Sequence, residues 1–463
     1  MLKKLATLLI AVICLFGFVA CRTGNSGNGS GKKEITVWWT GSTAQQNAIN
    51  RAKELYEAEN ENITIKVSPM SADDFYTTYA LSLKGNSCPD VALLDSVYIQ
   101  TLAYYSGAGN QIANLSEELS AQELSELSSR IFDTAWNTSL YKGDAYAIPF
   151  SLNAFGLAYN KTLMAKVLNY NLNTDYTADN IPEQYIPQTL ADIQAFYPMM
   201  QAYRQKYGSA YYTLSIPSGV GSTSTASMEY VSLVARLGGK IMSDDLKTVT
   251  IYNDDYAADK AANVRAAEVL YDFGSEATVL GEYKEANFEG GDILFMVAGC
   301  WKQSYYKTLA TNENNKQEFG WTDLVTIDGR SERCSTIGVY SLVATQKSKV
   351  RSEAVRFMTW LATNEEVQLL YAQSQDLLPS VRSFTEDNEF YESDAWRVFI
   401  DAVENGVTRP ATPAWSTCAT YCASLVSNLL THNMKIDSTN CTSYEDMLSK
   451  VQTKLATAVS RVN

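Results

Sequence analysis

EITVWWTGSTAQQNAINRAKELYEAENENITIKV, residues 34–67, changes its hydrophobic period twice. ITVWW (Ile35–Trp39) is short, apolar and β-branched, as a strand requires. From Ala44 to Tyr56 the period becomes helical, with Ala48, Ala52 and Leu55 on one face; ITIKV (Ile63–Val67) then alternates with period two. Strand, helix, strand is a βαβ opening and calls for parallel pairing. A second helix should lead into DVALLD (Asp90–Asp95), whose unbroken apolar centre suits a strand buried on both faces.

The mixture continues outward from there. YAIPFSLNAFGLAYNKTLMAK (Tyr146–Lys166) reads as extended through Tyr159 and helical afterwards. Thr189 to Asp192 has the form of a capping box, followed by Leu190, Ile193, Tyr197 and Met200 at helical spacing. Between Lys349 and Tyr371, Ala354, Phe357, Met358 and Leu361 form a stripe, and Asn364 followed by two glutamates reads as a fresh N-cap that splits the region into two helices. Leu448, Val451, Leu455 and Val459 mark a last amphipathic helix. No internal repeat is visible, which argues against a solenoid or propeller. At 463 residues the chain has room for two to four domains.

Composition narrows the chemistry. Lys+Arg 37 against Asp+Glu 51 gives a net charge of -14, which repels nucleic-acid phosphate and anionic lipid. A single histidine, His432, argues against His-dependent triads, multi-His zinc sites and proton shuttles. There is no GxSxG, HExxH or DxDxDG signature, and the Gly/Lys cluster at Gly29–Lys33 lacks the Ser/Thr of a phosphate loop. The 51 acids offer many carboxylate pairs, but no spacing singles one out for glycoside hydrolysis.

Lys3 and Lys4 precede an apolar run from Leu5 to Ala20, too short for the roughly 20 residues of a membrane span, so residues 1–20 read as an export signal. Phe18-Val19-Ala20-Cys21 resembles a bacterial lipobox, which would make Cys21 the lipidated first residue of the mature chain. RTGNSGNGSGKK (residues 22–33) has no apolar residue and should act as a flexible tether of roughly 20 Å. With residues 1–20 removed, 35 bases against 51 acids leave -16. Six cysteines remain after Cys14 and Cys21, and an exported protein could pair them in up to three disulfides, with no pairing selected. Cys418 and Cys422 have no partner histidines for a metal site.

Aromatic residues are plentiful, with Tyr 29, Phe 15 and Trp 8. Trp321, Trp360 and Trp396 lie inside helical or strand patterns and read as core. Trp38-Trp39, Trp301 and Trp415 stand at strand ends or in loop-like contexts, where a flat ring can pack on the C–H face of a pyranose.

In order and spacing, ITVWWTG, CPDVALLD (Cys88–Asp95), YAIPFSLNAFGLAYNKTLM, FEGGDILFMVAGCWKQ (Phe288–Gln303), Val339–Ser380 and RPATPAW (Arg409–Trp415) resemble the extracellular solute-binding proteins of the maltose-binding type, receptors of ABC sugar importers. The resemblance covers nearly all of the mature chain. It implies an α/β, periplasmic-binding-protein-like fold: two α/β lobes, a hinge and a central ligand cleft outside the carboxyl ends of the strands. The lobes should comprise 34–148 with about 323–378, and about 149–322 with 379–463. Ligand would be bound by Trp39, Thr40, Asp95, Asn153, Trp301, Arg409 and Trp415, with no catalytic residue, cofactor or metal. Loss of either Trp301 or Trp415 should weaken binding and leave the fold intact. The hydroxyl-rich loop SGVGSTSTAS (Ser218–Ser227) should also approach the ligand, or alternatively hold an anion on its backbone N–H groups. The expected partners are a carbohydrate, the membrane subunits of a permease and, through the lipid, the membrane; nucleic acid is not expected, and the protein should be a monomer. A receptor for a phosphorylated polyol, polyamine or metal chelate, or a surface glycan-degrading enzyme, stands as the alternative.

Overall fold

A computed structural model describes residues 32–70, 75–85, 87–106, 111–218, 223–282, 284–386 and 388–462. Residues 1–31, on which the expected export signal, lipidated Cys21 and most of the expected tether fall, lie outside them, as do residues 219–222 of the hydroxyl-rich loop.

Two sheets organise the chain. The larger has six strands in the order Leu378–Pro379, Ile148–Asn153, Gly338–Ala344, Val91–Asp95, Lys33–Thr40, Ile63–Met70. Lys33–Thr40 pairs in parallel with both Ile63–Met70 and Val91–Asp95, as the βαβ period requires. The connecting helix, Thr43–Glu59, starts from a capping box of Ser42 and Gln45 and buries Ala48, Ile49, Ala52 and Tyr56 against the sheet. Val91 to Leu94 are all buried, the position their apolar run demands. The smaller sheet has five strands in the order Phe319–Thr322, Phe155–Asn160, Ile293–Gly299, Tyr212–Ser215, Val279–Leu280.

Asn364 accepts the Val367 N–H and separates the helices Arg351–Thr363 and Glu365–Gln373. Trp396 is almost wholly buried beside Tyr391 and Phe399.

Each sheet has its own core, and the chain passes between them three times among the described residues. All three passages fall later than the sequence suggested. Ile148–Asn153 pairs along its length with Gly338–Ala344, so the first passage is at Ala154 and not at 148/149. Leu324, Val325 and Ile327 pack in the core of the smaller sheet, which moves the second passage from 322/323 to between Ile327 and Gly338. Val381, Phe384, Trp396, Phe399 and Val403 pack in the core of the larger sheet, so the third lies beyond Val403 rather than at 378/379. The last segment belongs to the smaller sheet: Trp415–Leu430 and Tyr444–Ser460 pack there through Leu425, Leu429, Leu448 and Leu455.

Among the described residues all six cysteines are free, against the disulfides that export permits. Cys418 and Cys422 lie one helical turn apart in the core of the smaller sheet, and burial pushes the Cys418 thiol up to about 12. No helix among the described residues is long and apolar enough to cross a membrane.

Candidate functional site

The strand ends of the two sheets face a common cleft. Register places Asp95 opposite Tyr340, Asn153 opposite Gly338, and Gly299 opposite Phe155. Two chambers of about 700 and 380 Å³ share Gln45, Asp95, Ser224, Tyr340 and Arg409 in their walls. This is where open α/β sheets place ligands, since loops diverge from the carboxyl ends of parallel strands.

Asp95 ends its strand and caps the short turn Ser96–Tyr98 by accepting the Val97 N–H at 3.1 Å. Arg409 reaches the same carboxylate from the chain's third passage, donating from Nη2 at 2.7 Å and from Nη1 at 3.3 Å. The arginine is held by its neighbours: Ile337 N–H donates to Val407 O at 3.0 Å, Val407 N–H to Ser335 O at 2.9 Å, and Thr101 Oγ1 to Pro413 O at 3.2 Å. Its side chain is 5% exposed and that of Asp95 33%, so the carboxylate is the member open to the cleft. A carboxylate has about four lone-pair sites, and some remain for ligand hydroxyls.

Thr40 lines the larger chamber, and its buried hydroxyl has no partner among the described residues. Asn153 and Trp301 line the smaller chamber. Trp301 packs against both cores, edge to face with Phe155 at 5.5 Å, and its ring lies over Gly299. A Cβ at Gly299 would stand 1.9 Å from the indole, so this approach requires glycine.

Two tryptophans depart from expectation. Trp39 is core: alternation along its strand turns it away from the cleft, and its ring meets Phe150 and Tyr371 edge-on, each at 5.5 Å. Trp415 is the first residue of a 16-residue helix rather than part of a loop; it reaches the larger chamber but is only 3% exposed. Truncating it would therefore disturb the fold as well as the cleft.

Several wall residues had not been singled out. Tyr76 and Tyr98 stack with ring centroids 3.6 Å apart and planes 7° from parallel, both lining the larger chamber. Gln45 and Tyr340 line both chambers. A signal existed: Tyr98 lies three residues beyond Asp95, and Gln45 opens the helix after the first strand, so both follow carboxyl ends of parallel strands. The Tyr98 and Tyr340 hydroxyls are held above the usual phenol range, first by burial and then by the Asp95 charge.

Among the described wall residues of the two chambers, Asp95 and Arg409 are the only charged ones, and they neutralise each other. No group of three or more His, Cys, Asp or Glu side chains among the described residues could hold a metal ion.

The model of the bacterial extracellular solute-binding protein family matches residues 51–397. Among solved structures, the cyclic alpha-maltosyl-1,6-maltose binding protein of Arthrobacter globiformis is similar with a TM-score of 0.73 at 16% identity, covering 93% of this chain and 100% of that one. The sugar-binding protein MalE of Xanthomonas citri gives 0.71 at 14% identity, covering 93% and 98%. The GacH receptor of Streptomyces glaucescens, solved unliganded and with acarbose, gives 0.67 at 18% identity, covering 93% and 98%. At these identities the likeness establishes a shared two-lobed α/β fold. The family match spans three quarters of the sequence, and the chain belongs to the bacterial extracellular solute-binding proteins.

Proposed function

We propose that this protein is the extracytoplasmic receptor of an ABC importer and captures a neutral oligosaccharide in the cleft. The observation that carries this reading is the wall itself. It offers the aromatic rings of Trp301, Tyr76 and Tyr98, a set of uncharged hydroxyl and amide groups, and one ion pair with no net charge. Aromatic faces suit the C–H faces of pyranoses, and a carboxylate locked to an arginine suits paired hydroxyls. A phosphorylated polyol needs a free cation and a polyamine needs several free carboxylates; neither stands among the described wall residues. The similarity to proteins solved with maltotetraose and with acarbose supports the same class. Thr40, Asp95, Asn153, Trp301, Arg409 and the rim of Trp415 are the proposed contacts. In this reading the two lobes close on the sugar about the three passages, Cys21 carries the lipid anchor, and the monomer presents its closed form to the permease.

A thermal-shift screen of the chain lacking residues 1–21 against mono- and oligosaccharides tests the reading. The cognate sugar at a hundredfold excess over Kd should stabilise the fold by about 2.7 kcal/mol without turnover. Released reducing ends would make the protein an enzyme, and a response confined to charged solutes would replace the sugar.

A pH series separates this cleft from an ionisable one. No histidine stands among its described wall residues, and the Tyr98 and Tyr340 phenols ionise above their ordinary range. Sugar affinity, by titration calorimetry, should therefore stay constant between about pH 6 and 9. A change of more than threefold across that window would place a titrating group on the ligand.

A further inference from the structure

Trp301 sits on a turn that both lobes hold. On one side the Cys300 N–H donates to Ala154 O at 3.1 Å, at the first passage. On the other, Ser304 donates twice to Asp376, from its N–H to Oδ2 at 2.7 Å and from Oγ to Oδ1 at 2.6 Å. Asp376 belongs to the larger lobe, between the helix Glu365–Gln373 and the strand Leu378–Pro379, whereas Ser304 follows the strand Ile293–Gly299 of the smaller one. The aspartate therefore reaches across the lobe boundary. Its neighbours Gln375 and Leu377 line the smaller chamber together with Trp301.

The backbone of Asp376 gives the contact more weight. The helix Glu365–Gln373 ends with the Leu377 N–H donating to Ala372 O at 2.9 Å, and Asp376 has φ 52, in the left-handed region. Glycine is the ordinary residue at such a helix end, because a Cβ makes that conformation costly. The chain carries a buried aspartate there instead, 4% exposed, with both oxygens committed to Ser304. Helix termination does not call for that side chain. A carboxylate with two short hydrogen bonds to one residue is a rigid tie.

We propose that Asp376 is a positioning residue for ligand binding: through Ser304 it fixes the turn carrying Trp301, so the indole is oriented by the opposite lobe as well as by its own. The role rests on the sugar-receptor reading given above, because Trp301 is taken as a ligand contact. Asp376 itself touches no ligand. With the tie cut, the turn keeps the Cys300 bond to Ala154 O, the Lys302 ion pairs with Glu285 and Glu289 and the packing of Trp301 on Phe155, but it loses the hydrogen bonds to Asp376 that fix it to the larger lobe.

Asp376→Gly is the decisive variant, since glycine is at ease at φ 52 and removes only the carboxylate. Ser304→Ala cuts the same tie from the other side. In ligand-free protein, acrylamide quenching of the Trp301 emission, taken as the difference from Trp301→Phe, should rise in both variants while far-UV circular dichroism is unchanged. With maltotetraose as the probe, both should bind about fivefold to tenfold more weakly. Asp376→Gly should have no further effect on affinity in a Trp301→Ala background, an outcome that a general loss of stability would not produce. Unchanged quenching would overturn the proposal whatever the sugar result, and so would additive losses in the double variant. Should maltotetraose fail to bind the unmodified protein, the quenching arm alone decides the tie, and the glycan screen decides the ligand.

Discussion

Asp95→Ala should cost the protein about 3–5 kcal/mol of stability, because it strands a buried guanidinium. The Arg409 side chain is 5% exposed and donates to Asp95 through both terminal nitrogens, so no water-exposed position is ready to take its charge. The same substitution also removes the cap on Val97, worth about 1 kcal/mol. Arg409→Ala should cost less, about 1–2 kcal/mol, since the carboxylate left behind is one-third exposed and can be hydrated. Both should lower sugar affinity by about 2 kcal/mol or more, roughly thirtyfold, because each leaves the other group at the shared wall of the chambers unpaired. Asp95→Leu with Arg409→Met should recover most of the stability and none of the affinity, as buried ion pairs exchanged whole for apolar groups commonly do. Urea denaturation and titration calorimetry on the three variants read both quantities. Equal stability losses in the two single variants would show that Arg409 is less dependent on Asp95 than its burial implies.

How much of this was legible beforehand depends on the physical signal. Period changes in residues 34–67 and the apolar run of Val91–Leu94 reflect local geometry, and they gave the parallel pairing and the central strand. Asp95 was reachable for the same reason: it ends that strand, and ligands gather at such ends. Arg409 was marked only through a family likeness, because its partner lies 314 residues away and no local pattern encodes a contact of that range. The passages between lobes were misjudged for a related reason. Ile148 to Asn153 and Phe155 to Asn160 read as one extended stretch, and only pairing assigns them to different sheets. Trp38 and Trp39 show the limit of alternation: it says that neighbours face opposite ways, but which one meets the core depends on what packs there, here Phe150 and Tyr371. Asp376 was invisible, since a left-handed aspartate at a helix end looks like any turn residue until Ser304 is placed beside it.

Trp415→Ala should lose about 3–5 kcal/mol of stability, a cost that separates it from Trp301→Ala despite their shared place in the cleft wall. The Trp415 side chain is almost wholly buried at the start of Trp415–Leu430, in the core it shares with Cys418, Ala419 and Met228. That helix packs on Thr223–Arg236, whose Ser224 and Ser227 line the larger chamber, so the cavity left by the indole would open beneath the chamber wall. Trp415→Phe keeps an aromatic ring and much of the volume and should recover over half of the loss. Trp301 is only partly buried; Trp301→Ala should cost less than half as much stability and weaken sugar binding by about 1–3 kcal/mol. Denaturation midpoints combined with calorimetry place each variant on the two axes. A Trp415→Ala protein with the wild-type midpoint would mean that its ring serves the ligand alone, and the core assignment would fall.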